Sequence, residues 1–250
     1  MPCVIASRDV LPTMAAFDDV VPGFTFNETV YFGSHVGHWT GYKVPDGAAI
    51  YNMEPLYDGC RSLSIGYMDI LRRTRVLDYS ASNVAYLARQ GIEAFHLPYG
   101  FHTGLIDEPR KARKDIEVLL IGSDNPRRRA IVSRLRRVFH VKWLSGVYGE
   151  ARAQAAARAH VQINVHFCDE HLLEITRLNW LMANGHNVVS EPGNEPEVND
   201  AYAAGLRLSF DLEGAIADAL LEPIDGSSVI RGMPINCEAA NRWLAERKVA

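Results

Sequence analysis

Apolar residues recur along this chain in two alternating rhythms. Short runs read as buried strands: Cys3–Ala6, Thr29–Phe32, Ala48–Asn52, Arg75–Asp78 and Ala94–Leu97 in the first part, then Ile116–Ile121, Val141–Leu144, Val161–His166, Asn187–Ser190 and Leu206–Ser209 in the second. Between them lie stretches with helical spacing: Arg61–Arg72, Ser80–Gln90, Pro126–Val138, Glu150–Arg158, His171–Asn184, Leu212–Leu221 and Cys237–Arg247. The clearest case is residues 159–191. A strand there leads through a polar loop into a helix whose apolar face is Leu172, Leu173, Ile175, Leu178, Leu181 and Met182. Asn184-Gly185 ends that helix where a left-handed residue is wanted, and a second strand follows. Such alternation predicts an α/β protein with parallel sheets built from βαβ units.

The rhythm lapses over residues 101–114, a polar stretch holding Gly104 and Pro109 that reads as a linker. It divides the chain into two Rossmann-like domains with a cleft between them: residues 1–104, and residues 115–235 beginning on a strand that ends in Gly122. Residues 236–250 form a last helix, expected to pack back on the first domain. With 250 residues, either half can hold a core of its own.

Composition narrows the function classes. A net charge of −4 gives no overall basic field to advertise nucleic acid or an anionic membrane. Locally, ten Lys or Arg fall between Arg110 and Arg137. Cys3, Cys60, Cys168 and Cys237 form no CxxC pair, so neither a zinc knuckle nor a disulfide framework is indicated, which suits a reducing cytoplasm. No secretory leader is expected from MPCVIASRDV, and no apolar run approaches the roughly 20 residues that span a bilayer.

Four segments carry chemistry. After the strand ending at Ile121, Gly122-Ser123 and the helix start with Arg127, Arg128 and Arg129 form an anion site: main-chain N–H groups and the helix dipole favour phosphate, and arginine adds forked donors. Neither GxGxxG nor a P-loop is present. Ser145-Gly146-Val147-Tyr148-Gly149 sets glycines around an aromatic, which lets main chain approach a flat ligand such as a nucleobase. The loop after the strand ending at His166 carries Asn164 and His166, with Glu174 and Arg177 as i,i+3 neighbours on the first turns of the next helix. Glu174 there could accept hydrogen bonds from ribose hydroxyls, or be a surface ion pair. His166 and His171 have no metal-ligand spacing, so no metal is expected. In the first domain, His35 and His38, then Glu54, follow apolar strands and are candidate general bases, although a lone histidine is more often structural.

These segments resemble the GT-B glycosyltransferases. Residues 80–100, a serine-started helix, a glycine and a strand ending Leu-Pro-Tyr-Gly, look like the close of that family's N-terminal domain. Residues 115–129 look like the first strand and phosphate loop of its C-terminal domain, and residues 159–191 like its donor-binding strand, loop and helix. YNMEPL (51–56) and LDYSASN (77–83) are similar to a subgroup of small bacterial and phage enzymes related to spore-coat maturation glycosyltransferases. The resemblance implies sugar transfer, without metal or other cofactor, from a nucleotide-diphosphate sugar bound by the second domain. The acceptor is a hydroxyl: polysaccharide, lipid-linked sugar, small metabolite or hydroxymethylated DNA base. Gly122, Ser123, Arg128, Tyr148, Gly149, Asn164, His166, Glu174 and Arg177 would hold the donor, and His38, His35 or Glu54 would handle the acceptor proton. The sequence departs from the family's paired glutamates eight residues apart. Glu174 and Glu191 are the nearest candidates, and Trp180 stands at the second position. A different class remains open: a non-catalytic nucleotide-sugar or phosphate-binding module.

Overall fold

The computed structural model describes residues 4–5, 20–36, 43–60, 63–107, 112–167 and 172–247. The chain divides into two compact units, one made of residues 1–99 and 234–250 and the other of residues 100–233. Among the described residues no helix is long and apolar enough to cross a membrane.

The first unit is built on a five-stranded parallel sheet. Its strands β1 (Val4–Ile5), β2 (Val30–Phe32), β3 (Ala49–Asn52), β4 (Arg75–Asp78) and β5 (Ala94–His96) lie side by side in chain order. Helices α1 (Ile65–Arg73) and α2 (Ala81–Arg89) cover one face, where Ile50 and Val76 pack with Tyr67, Ile70, Leu71 and Leu87. Ser64 and Ser80 cap them by accepting the N–H of Tyr67 and Asn83. On the opposite face Phe32 and Tyr51 meet Phe24 at ring separations of 5.3 and 4.7 Å. Because both faces are covered, Ile50 and Tyr51 are buried alike, and the strand reads as an unbroken apolar run.

The second unit also holds five parallel strands, in a different order. They are β6 (Ile116–Ile121), β7 (Val141–Leu144), β8 (Ala159–Asn164), β9 (Val188–Ser190) and β10 (Arg207–Leu208), arranged β10-β9-β8-β6-β7. Helices α3 (Pro126–Leu135), α4 (Gly149–Ala157), α5 (Ile175–Ala183), α6 (Pro196–Ala203), α7 (Leu212–Leu221) and α8 (Ser227–Arg231) accompany them. Val132 and Leu135 of α3 and Leu212 and Ile216 of α7 pack on the face presenting Val118, Leu120, Val161 and Ile163. Ala155 of α4 packs on Leu119 at the other. The chain runs from β6 outward to β7, then returns across β6 to start β8. That reversal puts a topological switch point at the carboxyl ends of β6 and β8, the place where open α/β sheets take ligands.

Helix α9 (Cys237–Glu246) returns to the first unit, where Trp243 packs on Phe95 at 5.7 Å. Asn241 bonds Thr25 and Asn27, and Arg75 ties the Leu244 carbonyl to Glu28 with bonds of 2.7–2.9 Å.

All ten expected strands form. Three expectations need correction. Residues 101–107, read as linker, are part of the second unit: Phe101 bonds Met233, Leu105 is buried, and Asn184 takes the Asp107 N–H and donates to the Leu105 carbonyl. Their apolar anchors, four residues apart, were hidden among polar neighbours. The helix expected from His171 starts at Ile175, so Glu174 precedes it rather than lying on its first turns; residues 168–171, including His171, are outside the described residues. Helices α6 and α8 had no legible period, because α6 buries Tyr202 alone and α8 is five residues long.

Candidate functional site

At the switch point the chain leaves β6 through Gly122, whose N–H bonds the Leu144 carbonyl and whose carbonyl accepts the Trp143 indole N–H at 2.9 Å. Two arginine side chains crowd this position. A Cβ would lie 2.8 Å from Arg128 Nη1 and 3.5 Å from Arg177 Nη2, so two guanidiniums stand directly against this main chain. Asn125 then caps α3 by accepting the Arg128 N–H.

Successive helical residues point about 100° apart, and the three arginines diverge accordingly. Arg129 turns outward to Asp124. Arg127 grips Glu191 with two bonds of 2.6 and 2.8 Å. Arg128, expected to reach a phosphate from the helix start, is instead 2 % exposed. It donates to the Val165 carbonyl (2.9 Å) and the Ser123 carbonyl (3.0 Å) and pairs with Glu174 at 3.4 Å. Burial, with Arg177 and Arg127 nearby, lowers its pKa to about 10, which leaves it a cation at neutral pH.

Asn164, fully buried at the end of β8, is the hub. Its Oδ1 accepts from Arg177 (2.7 Å), and its Nδ2 donates to Glu174 (2.7 Å) and Ser190 (2.9 Å). Glu174 is therefore not a surface i,i+3 partner of Arg177; its carboxylate turns inward and also sits 2.9 Å from His166 Nδ1. The other ring nitrogen of His166 lies 3.1 Å from the Pro192 carbonyl. Both ring nitrogens lie near oxygen atoms, an arrangement that favours the protonated ring. Burial alone would lower the His166 pKa, but the hydrogen bond and charge of Glu174, then Glu191, raise it above the ordinary 6.5. Glu174 is opposed by burial too, yet His166, Arg177 and Asn164 hold it down at about 2. Glu191 and Ser190 complete the cluster: Glu191 also accepts the His166 N–H, at 2.7 Å. Glu191 was one of the two glutamates named from the sequence, whereas Ser190 had no signal beyond its place as the last residue of β9.

This pair sets a pH window. His166, raised, stabilises the fold fully below its unfolded value of 6.5 and loses that contribution as pH rises through its folded value. Glu174, lowered, stabilises above 4.5 and loses its contribution as pH falls toward about 2. Unfolding free energy should thus be greatest between these two values and fall on both sides. In Glu174→Gln both slopes should flatten. Urea midpoints that track pH identically in the two proteins would dismiss the pairing.

Tyr148 and Gly149 sit one strand over, at the end of β7. Gly146 and Gly149 take positive φ (69° and 52°), and half-buried Tyr148 leads into α4.

In the first unit, β2 and β3 bring two expected residues together: His35 Nε2 is 3.5 Å from Glu54 Oε1, with side chains 19 % and 27 % exposed. The edge of His35 rests on Tyr67 at 6.1 Å. His38 lies outside the described residues.

No family model matches the sequence, and no curated protein matches it. Solved structures do. AviGT4, a glycosyltransferase involved in avilamycin A biosynthesis, superposes with a TM-score of 0.52 at 13 % identity, covering 94 % of this chain and 88 % of its own. TarM gives 0.49 at 11 %, covering 95 % of this chain, which spans about half of TarM (55 %). The AviGT4 likeness is one of fold: α/β, with parallel, Rossmann-like sheets.

Proposed function

We propose that the chain is a metal-independent glycosyltransferase of the two-domain GT-B kind, moving a sugar from a nucleoside-diphosphate sugar to a hydroxyl acceptor. The observation that carries this reading is the pair of guanidiniums, Arg128 and Arg177, set against the Gly122 main chain at a sheet's switch point. A glycosyltransferase with a similar fold supports it.

In this reading the second unit binds the donor and the first unit the acceptor. The main chain at Gly122-Ser123 and the Arg177 guanidinium receive the diphosphate, while Arg128 raises the positive potential from beneath. Tyr148 and Gly149 face the base. Glu174 Oε1, which meets Arg128 at a long 3.4 Å, takes a ribose hydroxyl. The acceptor oxygen bonds to the anomeric carbon as that carbon's bond to the phosphate oxygen breaks. The electron pair leaves with the nucleoside diphosphate, stabilised by fixed cations rather than by a metal. The acceptor's proton passes to Glu54 beside His35. The kinship with spore-coat-type enzymes rests on residues 51–56 and 77–83 and belongs to the same proposal.

A panel of nucleotide sugars screened by thermal shift tests the donor site: a ligand at 100 times its Kd should add about 2.7 kcal/mol of stability. Arg177→Ala should weaken that ligand by about 1.5–3 kcal/mol, the worth of a charged hydrogen bond. Unchanged affinity by calorimetry would remove Arg177 from the site. Nucleotide release from the bound donor separates an enzyme from a binding module, which would bind without turnover.

A further inference from the structure

Two sequence motifs, YNMEPL and LDYSASN, interlock at the carboxyl ends of β3 and β4. We propose that Asp78 is a positioning residue that, through Asn52 and Asn83, fixes the main chain of Glu54 so that its carboxylate meets His35. The inference rests on the reading of Glu54 as the group that takes the acceptor's proton.

Asp78 is fully buried. Its Oδ2 accepts from Asn52 Nδ2 at 2.7 Å, and its Oδ1 accepts from the Ser80 N–H and from Asn83 Nδ2, both at 2.9 Å. A buried carboxylate is an acceptor only, so it dictates that both asparagines present their NH2 groups to it. The consequence reaches Glu54. Asn52 Nδ2 also donates to the Glu54 carbonyl (2.8 Å), while Asn52 Oδ1 accepts the Glu54 N–H (3.1 Å). Asn83 Nδ2 donates to that same carbonyl (2.9 Å), and Asn83 Oδ1 accepts the Leu56 N–H (2.8 Å).

Tyr67 closes the network, donating its hydroxyl to Asn52 Oδ1 at 2.7 Å. Burial, then the charges of Asp78 and Glu54, hold the Tyr67 pKa well above its ordinary value, so it stays a donor. Every polarity in the network therefore agrees. The loop from Asn52 to Leu56 is held by main-chain bonds at Glu54 and Leu56, and the Glu54 side chain lies 3.5 Å from His35. Reversing one amide would turn an NH2 group toward the Glu54 N–H, donor against donor.

Asp78→Asn does this at constant shape. Where its new NH2 faces Asn52, Asn52 must flip, and Glu54 loses its acceptor. We expect the Glu54 and Leu56 amides to exchange with solvent roughly tenfold faster, with α1 and α2 amides unchanged, as a local opening requires. Nucleotide release from the donor found by thermal shift should slow about 10- to 100-fold, the cost of a displacement on the order of 1 Å. Donor Kd should not change. The double variant Asn52→Asp/Asp78→Asn restores a donor–acceptor match between the two positions and should recover part of both losses; a purely structural role gives no such rescue.

Should Asp78→Asn not fold, Asn83→Ala breaks the same clamp from α2 and is read in the same way. Wild-type exchange and wild-type turnover in a folded Asp78→Asn protein overturn the proposal. Faster exchange with unchanged turnover overturns it as well, provided Glu54→Gln is slow. Wild-type turnover in Glu54→Gln instead fells the acid–base reading on which the proposal stands.

Discussion

Arg128→Ala should melt the second unit far below the wild-type temperature, although the residue belongs to the first turn of a helix whose first-turn neighbours Arg127 and Arg129 are not buried. The guanidinium is 2 % exposed and holds the carbonyls of Val165 and Ser123, with Glu174 beyond. Alanine takes this donor from the buried Val165 carbonyl and from the Ser123 carbonyl, removes a cation from beside Glu174, and opens a void under Gly122. Breaking a buried charged contact costs about 3–5 kcal/mol. For a unit of this size that is a fall in Tm of about 6–20 °C, at roughly 2–4 °C per kcal/mol. Arg129→Ala is the matched control: its pair with Asp124 is exposed, and such pairs contribute about 0–1 kcal/mol. Calorimetry on both variants checks the contrast. Equal melting temperatures would mean that Arg128 bears no weight in the fold.

Glu54→Gln should do the reverse, leaving the fold and abolishing the reaction. The side chain is about a quarter exposed and its partner His35 is similarly open, so the pair adds little to stability. Glutamine keeps the shape and loses the capacity to take a proton. If the carboxylate receives the acceptor's proton, kcat should fall by about 10²–10⁴, the usual share of general-base catalysis, with donor affinity unchanged. Turnover within about twofold of wild type would exclude Glu54 from that role.

The two predictions differ in how much the sequence could say about them. The sheets were legible because central strands such as β3 and β6 are buried on both faces and read as apolar runs. Helices α1, α2, α3, α4, α5, α7 and α9 were legible to within a few residues from their periods. Side-chain direction was not. Three consecutive arginines must diverge around a helix, but which of them points inward depends on β8 and on Glu174, 46 residues away along the chain. Glu174 itself was placed on the wrong element, because Leu172 and Leu173 continue an apolar period that the main chain does not follow into helix until Ile175. Glu54 and His35 came together for a simpler reason. Both follow parallel strands, and parallel strands end at one edge. The partnership of the two motifs, Asn52 with Asp78 and Asn83, was invisible, since it needs the register that pairs Asn52 with Asp78 across β3 and β4.

The order in which the chain is synthesised gives α9 a further meaning. The first unit's strands are complete once β5 has been made, yet the helix that packs Trp243 on Phe95 and binds Arg75 comes only after the whole second unit. At about 5–20 residues per second, the intervening stretch takes on the order of ten seconds to emerge from a ribosome. Through that interval the second unit can fold, since its segments are contiguous, while the first waits with part of a sheet face bare. The unit begun first is thus closed by a helix made only after the whole of the unit begun second.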